Sequence, residues 1–378
     1  MEPKTLSVAI VCLALAGLIS CGGDGGTTPS DANGSGDEND SDAQPGRDTS
    51  GHSQGTDDTA NNNNANHDSA NHDTGNTGPI DDADVDKERV WNEGLNPGVN
   101  RGIADLYPDD VGIADHPAVY AAEDFETGAV ALSTEEERLR DNLTIATDEV
   151  YTGQYASSFS WPQDFNGPTT RFLLSTDPAD NPHDAYFVRA CYNFDASFHP
   201  QDQDRGVGVK GFGVYAEGPD TTDDNWYNAS VQFVGWGGSS KPEANDGYLW
   251  VGHLYSYNPH PEEAVAEVGS IENLTEYRFS AYAAPFDYIR FNTWRCYEVG
   301  LYLNTPGKND GEARFWIDGV LQSRITHMRF RDAETPRPDN ANINLHRVTE
   351  DFAHTMTRWM DNIVISRRYI GPVLHTAP

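Results

Sequence analysis

Residues 294–322 read WRCYEVGLYLNTPGKNDGEARFWIDGVLQ, and the alternation of apolar and polar side chains, broken by two turn signals, predicts three antiparallel strands. The first spans Tyr297 to Leu303 and closes at Asn304-Thr305-Pro306-Gly307. The second spans Ala313 to Ile317 and ends at Asp318-Gly319, a dipeptide suited to a two-residue hairpin because both positions tolerate positive φ. The third begins at Val320. Such a meander cannot bury its apolar face alone, so it implies a large all-β body around it.

From Trp91 to Pro378 aromatic residues and turn residues recur at short intervals with no long helical period. One sandwich over 91–378 fits this better than two small domains. Only Ser133 to Asn142, STEEERLRDN, has a helical look, with Ser133 as cap and Glu136 three residues on; a charged surface loop is the alternative.

The net charge is −35, and no basic stripe supplies phosphate contacts, which excludes nucleic acid as a partner. It also counts against a polyanionic ligand. Screening beyond about 8 Å still leaves room for a locally basic groove.

Four stretches offer polar groups on strand-like runs. They are Tyr186 to Asn193 with Arg189 and Asn193, the Val209-Lys210-Gly211-Phe212-Gly213 turn, Asn228 to Phe233, and Gly252 to Tyr257. His253, Tyr255 and Tyr257 are spaced two apart, so a strand presents all three on one face. Ser230 and Gln232 share a face for the same reason. Aromatics two apart also occur simply because they suit sheets. Trp226, Trp236, Trp250, Trp294 and Trp316 are expected mostly in the core, with one or two facing a ligand. Arg324, Arg329, Arg331 and Arg337 read mainly as surface charge.

The run LNTPGKNDGEARFWIDG, followed by Arg329-Phe330-Arg331 and by MDNIVISRRYIGP near the end, resembles the alginate-lyase-like polysaccharide lyases of family 14. The resemblance spans Asp124 to Pro372 and implies a concanavalin A-like jelly roll that cleaves an acidic, uronate-containing polysaccharide by β-elimination, without a cofactor. It maps Lys210 to the family's lysine, Ser230 and Gln232 to its polar pair, and Tyr255 and Tyr257 to its tyrosine pair. Gln232 stands where the family has arginine, and KGFG replaces its longer lysine turn. The implied roles are Tyr257 or His253 as base for the C5 proton, Tyr255 at the leaving oxygen, and Lys210 with Gln232, supported by Arg189, Asn193 and Ser230, on the sugar. A non-catalytic carbohydrate-binding or adhesive domain is the rival reading. A glucanase-type hydrolase needs two carboxylates about 5 to 9 Å apart, and no ExDxE-like strand supplies them.

At the other end, residues 1–21 combine Lys4, an apolar run from Leu6 to Ile19 and the lipobox-like Leu18-Ile19-Ser20-Cys21. They predict a lipoprotein signal peptide with lipidation at Cys21, and hence a membrane-anchored protein of the cell envelope, at the outer membrane or cell surface. Residues 22–90 carry Asn, Asp, Gly, Ser and Thr with almost no apolar side chain, which predicts a disordered tether. Export makes Cys191 and Cys296, the two remaining strand cysteines, candidates for a disulfide. No metal cluster is legible, and a monomer is expected.

Overall fold

The structure, a computed structural model, describes residues 85–130, 143–161, 169–198, 208–217, 225–237, 248–272, 274–275, 277–285, 287–344 and 355–376. Cys21, the tether up to residue 84 and the helix-like Ser133 to Asn142 lie outside the described residues. Among the described residues a short α-helix, α1 (Lys87–Asn92), precedes the strands, its first turn capped by Asp86 through the Arg89 amide. In chain order the strands are β1 (Val119–Glu123), β2 (Leu143–Ala146), β3 (Ala156–Trp161), β4 (Thr169–Leu173), β5 (Ala185–Phe194), β6 (Gly208–Ala216), β7 (Tyr227–Gly237) and β8 (Tyr248–Tyr257). They continue as β9 (Val265–Val268), β10 (Ser270–Glu272), β11 (Arg278–Tyr282), β12 (Arg295–Tyr302), β13 (Gly311–Ile317), β14 (Val320–Met328), β15 (Asn340–Asn344) and β16 (Met356–Ser366).

All pairings are antiparallel and form two sheets, as the sequence predicts for a jelly-roll sandwich. The back sheet runs β2-β3-β16-β5-β12-β13-β14-β9, with β1 also on β16; the front sheet runs β10-β11-β8-β7-β6-β15-β4. The meander at 294–322 is the middle of the back sheet. Asp318 and Gly319 adopt φ of 49° and 76°, and Ile317 pairs directly with Val320, so the hairpin forms as read.

Strand alternation builds the core between the sheets. Tyr186, Val188, Ala190, Tyr192 and Phe194 of β5 point inward and meet Val209, Phe212, Val231 and Phe233 of the front sheet. Each such side chain, taken fully out of water, contributes about 1.5–3 kcal/mol. One cation sits inside this layer: Arg358 is fully buried between Trp161 and Tyr192, its carbon centre 4.7 and 4.6 Å from their rings. Its Nη1 donates to the Lys210 carbonyl at 3.3 Å, tying the interior to the floor of the front sheet.

The outer face of the back sheet is buried as well. Val90, Ile103, Ala104, Ile113, Tyr369 and Ile370 cover Phe187, Tyr302 and Trp316, and the packed region reaches back to Val85, ahead of the Trp91 boundary read from composition. Gly94 lies against the indole of Trp316, whose Nε1 donates to the Gly94 carbonyl at 2.8 Å. On the same face Cys191 and Cys296, direct cross-strand partners, form the expected disulfide. Arg331 and Arg337, read as surface charge, are buried around Asp184 instead. Among the described residues no helix is long and apolar enough to cross a membrane.

Two carboxyls under this cover set a pH dependence. Burial pushes Glu298 up to about 8, against the Ile370 and Gly371 amides and Arg189. Burial likewise pushes Asp361 up to about 7, against the Thr152, Asn362 and Tyr151 amides. Both bind a proton more tightly folded than unfolded. Their stabilisation is therefore complete below the ordinary carboxylate range and is lost as pH rises through about 7 and about 8. Asp184 works in the opposite sense: burial raises it, but Lys87, Arg337 and Arg331 hold it below the ordinary range, so its contribution is lost in acid. The melting temperature is expected to peak at about pH 5 and to fall by about pH 9, and Asp361→Asn should flatten that slope in a calorimetric pH series.

Candidate active site

The outward face of the front sheet is polar, because its strands send Val209, Phe212, Ala229, Val231, Phe233, Leu254, Phe279 and Ala281 into the core. Register aligns the outward residues in rows across the strands. Lys210 of β6 pairs with Gln232 of β7, which pairs with His253 of β8. One row along, Gly213 pairs with Ser230, Ser230 with Tyr255, and Tyr255 with Ser280 of β11. In the next row Tyr215 pairs with Asn228, and Tyr257 with Arg278. Neighbours within a row are about 4.8 Å apart, so these side chains share one surface.

The KGFG stretch is not the expected turn. It lies within β6, where the register shifts between Lys210 and Phe212. Gly211 is the extra residue of this bulge. A Cβ there would come within 2.8 Å of the Val231 carbonyl, so glycine lets β6 lie against β7 while Lys210 stays on the outer face.

Arg278 is the residue that the sequence reading passed over. Its Nη1 donates to the phenol oxygens of both Tyr255 and Tyr257, at 3.2 Å each. The cation beside the tyrosines is thus Arg278 of β11, two strands away from Gln232. The alternation Arg278, Ser280, Tyr282 against buried Phe279 and Ala281 was the available signal. Trp226 is tilted over Tyr257 with ring centroids 4.0 Å apart, while His253 stacks on Tyr282 at 4.7 Å.

The electrostatics separate the groups. Burial pushes the Tyr255 phenol well above the ordinary tyrosine range, and Tyr257 beside it adds to the shift, so Tyr255 holds its proton at neutral pH. Burial lowers the Lys210 amine from its usual range, with the Glu217 carboxylate opposing. Ser230 donates to the Tyr255 carbonyl at 3.2 Å, and Asn228 accepts the Tyr257 amide at 3.0 Å, which fix the backbone of both tyrosines.

Arg189 and Asn193 do not join this face. Both alternate to the outer side of β5, on the back sheet, together with Cys191. Arg189 is fully buried, paired with Asp110 and donating to the Gly371 carbonyl at 2.9 Å. Asn193 donates to Glu149 at 2.6 Å. Their roles are structural, which corrects their assignment to substrate. Of the tryptophans, Trp316 is buried on the back face and Trp226 stands in the site; the side chains of Trp236 and Trp250 lie outside the described residues.

No protein-family profile and no curated protein matches the chain. Among solved structures it is similar to the alginate lyase Aly36B, 14% identical over 68% of this chain and 99% of that one, with a TM-score of 0.43. The alginate lyase vAL-1 from Chlorella virus is 10% identical over 66% of this chain and 100% of that one, with a TM-score of 0.45. An endo-β-1,4-glucuronan lyase from the fungus Trichoderma reesei is 10% identical over 66% and 95%, with a TM-score of 0.38.

Proposed function

We propose that the chain is a polysaccharide lyase that cleaves a uronate-containing polymer by β-elimination on the outward face of the front sheet. The observation that carries this is the cluster of Tyr255, Tyr257 and Arg278, in which Arg278 donates to both phenols, beside the Lys210–Gln232–His253 row. Lys210 and Gln232 hold the C6 carboxylate, which makes the C5 proton acidic. His253, the direct neighbour of Gln232, takes that proton; the electron pair forms the C4–C5 double bond as the C4–O4 bond breaks. Tyr255, kept protonated by its burial, delivers the proton to O4. Tyr257 and Arg278 position the Tyr255 hydroxyl.

Arg278→Met is expected to lower turnover by about tenfold to a hundredfold, with Arg278→Lys recovering part of it, as judged by the rate of unsaturated chain-end formation. Equal rates in the Met variant and the parent chain would remove the positioning role.

We also propose that the chain sits at the cell envelope, anchored by lipid on Cys21 and reaching its polymer through a tether that ends ahead of Val85. Cys21→Ala should release the protein from the membrane fraction; unchanged membrane association would exclude this anchor.

A further inference from the structure

Beyond Lys210 the polar face continues over β15 and β4, and its chemistry changes. Asn342 pairs with Gly213 on one side and with Arg171 on the other, while Asn340 pairs with Tyr215. Core-facing Ala341 and Ile343 put both asparagines on the outward face. They are 3% and 1% exposed, and the carbonyl oxygen of each side chain has no hydrogen-bond partner among the described residues. Buried acceptors left open in this way call for a donor from outside the protein.

The charges on this bench point the same way. Arg171 is its cation, and it is paired with Glu217 at 3.2 Å. Asp339 adds a second carboxylate, accepting the Glu217 amide at 2.8 Å and the Asn340 side chain at 3.1 Å. With Lys210 engaged at the scissile sugar, the described residues of this surface carry one more anion than cation, together with open carbonyl acceptors. A sugar hydroxyl satisfies those acceptors. A carboxylate brings further acceptors and a like charge.

We infer that the bench formed by Asn340, Asn342, Arg171 and Glu217 is a subsite for a neutral sugar, so that the substrate is a heteropolysaccharide in which uronate and neutral residues are interspersed, rather than a homouronan. This rests on the lyase reading for its catalytic end. The spacing suits a subsite remote from the bond that breaks: β15 lies three strands from β8, about 14 Å from Tyr255 and thus several rings along the polymer.

The test compares the full chain on two probes, polyglucuronate and a polymer alternating glucuronate with neutral hexose. Unsaturated ends are expected to form with a kcat/KM at least about tenfold higher on the alternating polymer, a difference of about 1.4 kcal/mol. Asn342→Lys, which adds a countercharge at the bench, should raise the rate on polyglucuronate relative to the alternating polymer; Asn342→Ser, which removes the open carbonyl acceptor without adding charge, should narrow the native preference by lowering the rate on the alternating polymer. An equal or higher native rate on polyglucuronate overturns the subsite and leaves the lyase standing. If neither polymer is cleaved, the chain does not act at glucuronate, and the lyase reading stands or falls on other uronates. Titration calorimetry then decides the subsite: tighter binding of the alternating polymer supports it, and equal or tighter binding of polyglucuronate overturns it.

Discussion

Tyr255→Phe is expected to lower eliminative turnover by about two to four orders of magnitude while the chain stays folded. The substitution removes one oxygen and keeps the ring. That ring packs edge-on to Tyr257 at 5.4 Å and to His253 at 6.4 Å, and phenylalanine preserves both contacts. The lost hydroxyl has Arg278 as its hydrogen-bond partner, and Arg278 retains Tyr257. The chemical loss is larger. Without the phenol no group at that position protonates O4, and the departing oxygen leaves as an alkoxide. Initial rates on a uronate polymer, read beside the melting temperature, check the point. Undiminished turnover would move the acid elsewhere; a collapse in melting temperature would show that the hydroxyl serves the fold.

Arg189→Leu should destabilise the chain by about 3–5 kcal/mol, because it leaves the Asp110 carboxylate buried without its cation. Asp110 is 3% exposed, and its other side-chain donor is Asn362 at 3.0 Å. Arg189 also ties the C-terminal segment through the Gly371 carbonyl and the β16 bulge through the Asn362 carbonyl. The double variant Asp110→Asn with Arg189→Leu should recover part of the loss, since it removes the stranded charge. Denaturant unfolding measures the stability, and activity of the folded fraction separates the roles. Retained turnover in that fraction fits a structural arginine on the back sheet; lost turnover with unchanged stability would return Arg189 to the site.

The contrast between Arg189 and Arg278 shows what local sequence carries. Alternation in 185–194 puts Arg189, Cys191 and Asn193 on one face and Tyr186, Val188 and Tyr192 on the other. It cannot say which sheet the strand joins. That depends on β5 lying between β16 and β12, a pairing across more than a hundred residues of chain. The segments that bury Arg189, around Asp110 and Gly371, read as ordinary loops. Arg278 was missed for a related reason: β11 is five residues long, and between it and its partner β8 the chain passes through β9 of the other sheet and through β10. By contrast, the Asp318-Gly319 hairpin and the facing of His253, Tyr255 and Tyr257 depend on neighbours in sequence, and both formed as read. The Lys210 stretch fell between these cases, since its glycines suit a turn and a β-bulge equally.

The central claim is that this face breaks a glycosidic bond by elimination. The measurement that tests it most directly follows two products together, unsaturated uronate by ultraviolet absorbance and new reducing ends, with the full chain acting on alginate, polyglucuronate, pectate and an alternating uronate polymer. Elimination predicts that the two signals rise in equal amounts on at least one polymer and that both are lost in Tyr255→Phe. Reducing ends without unsaturation would mean hydrolysis. Binding with neither signal on any polymer would make the front sheet a carbohydrate-binding surface and contradict the account.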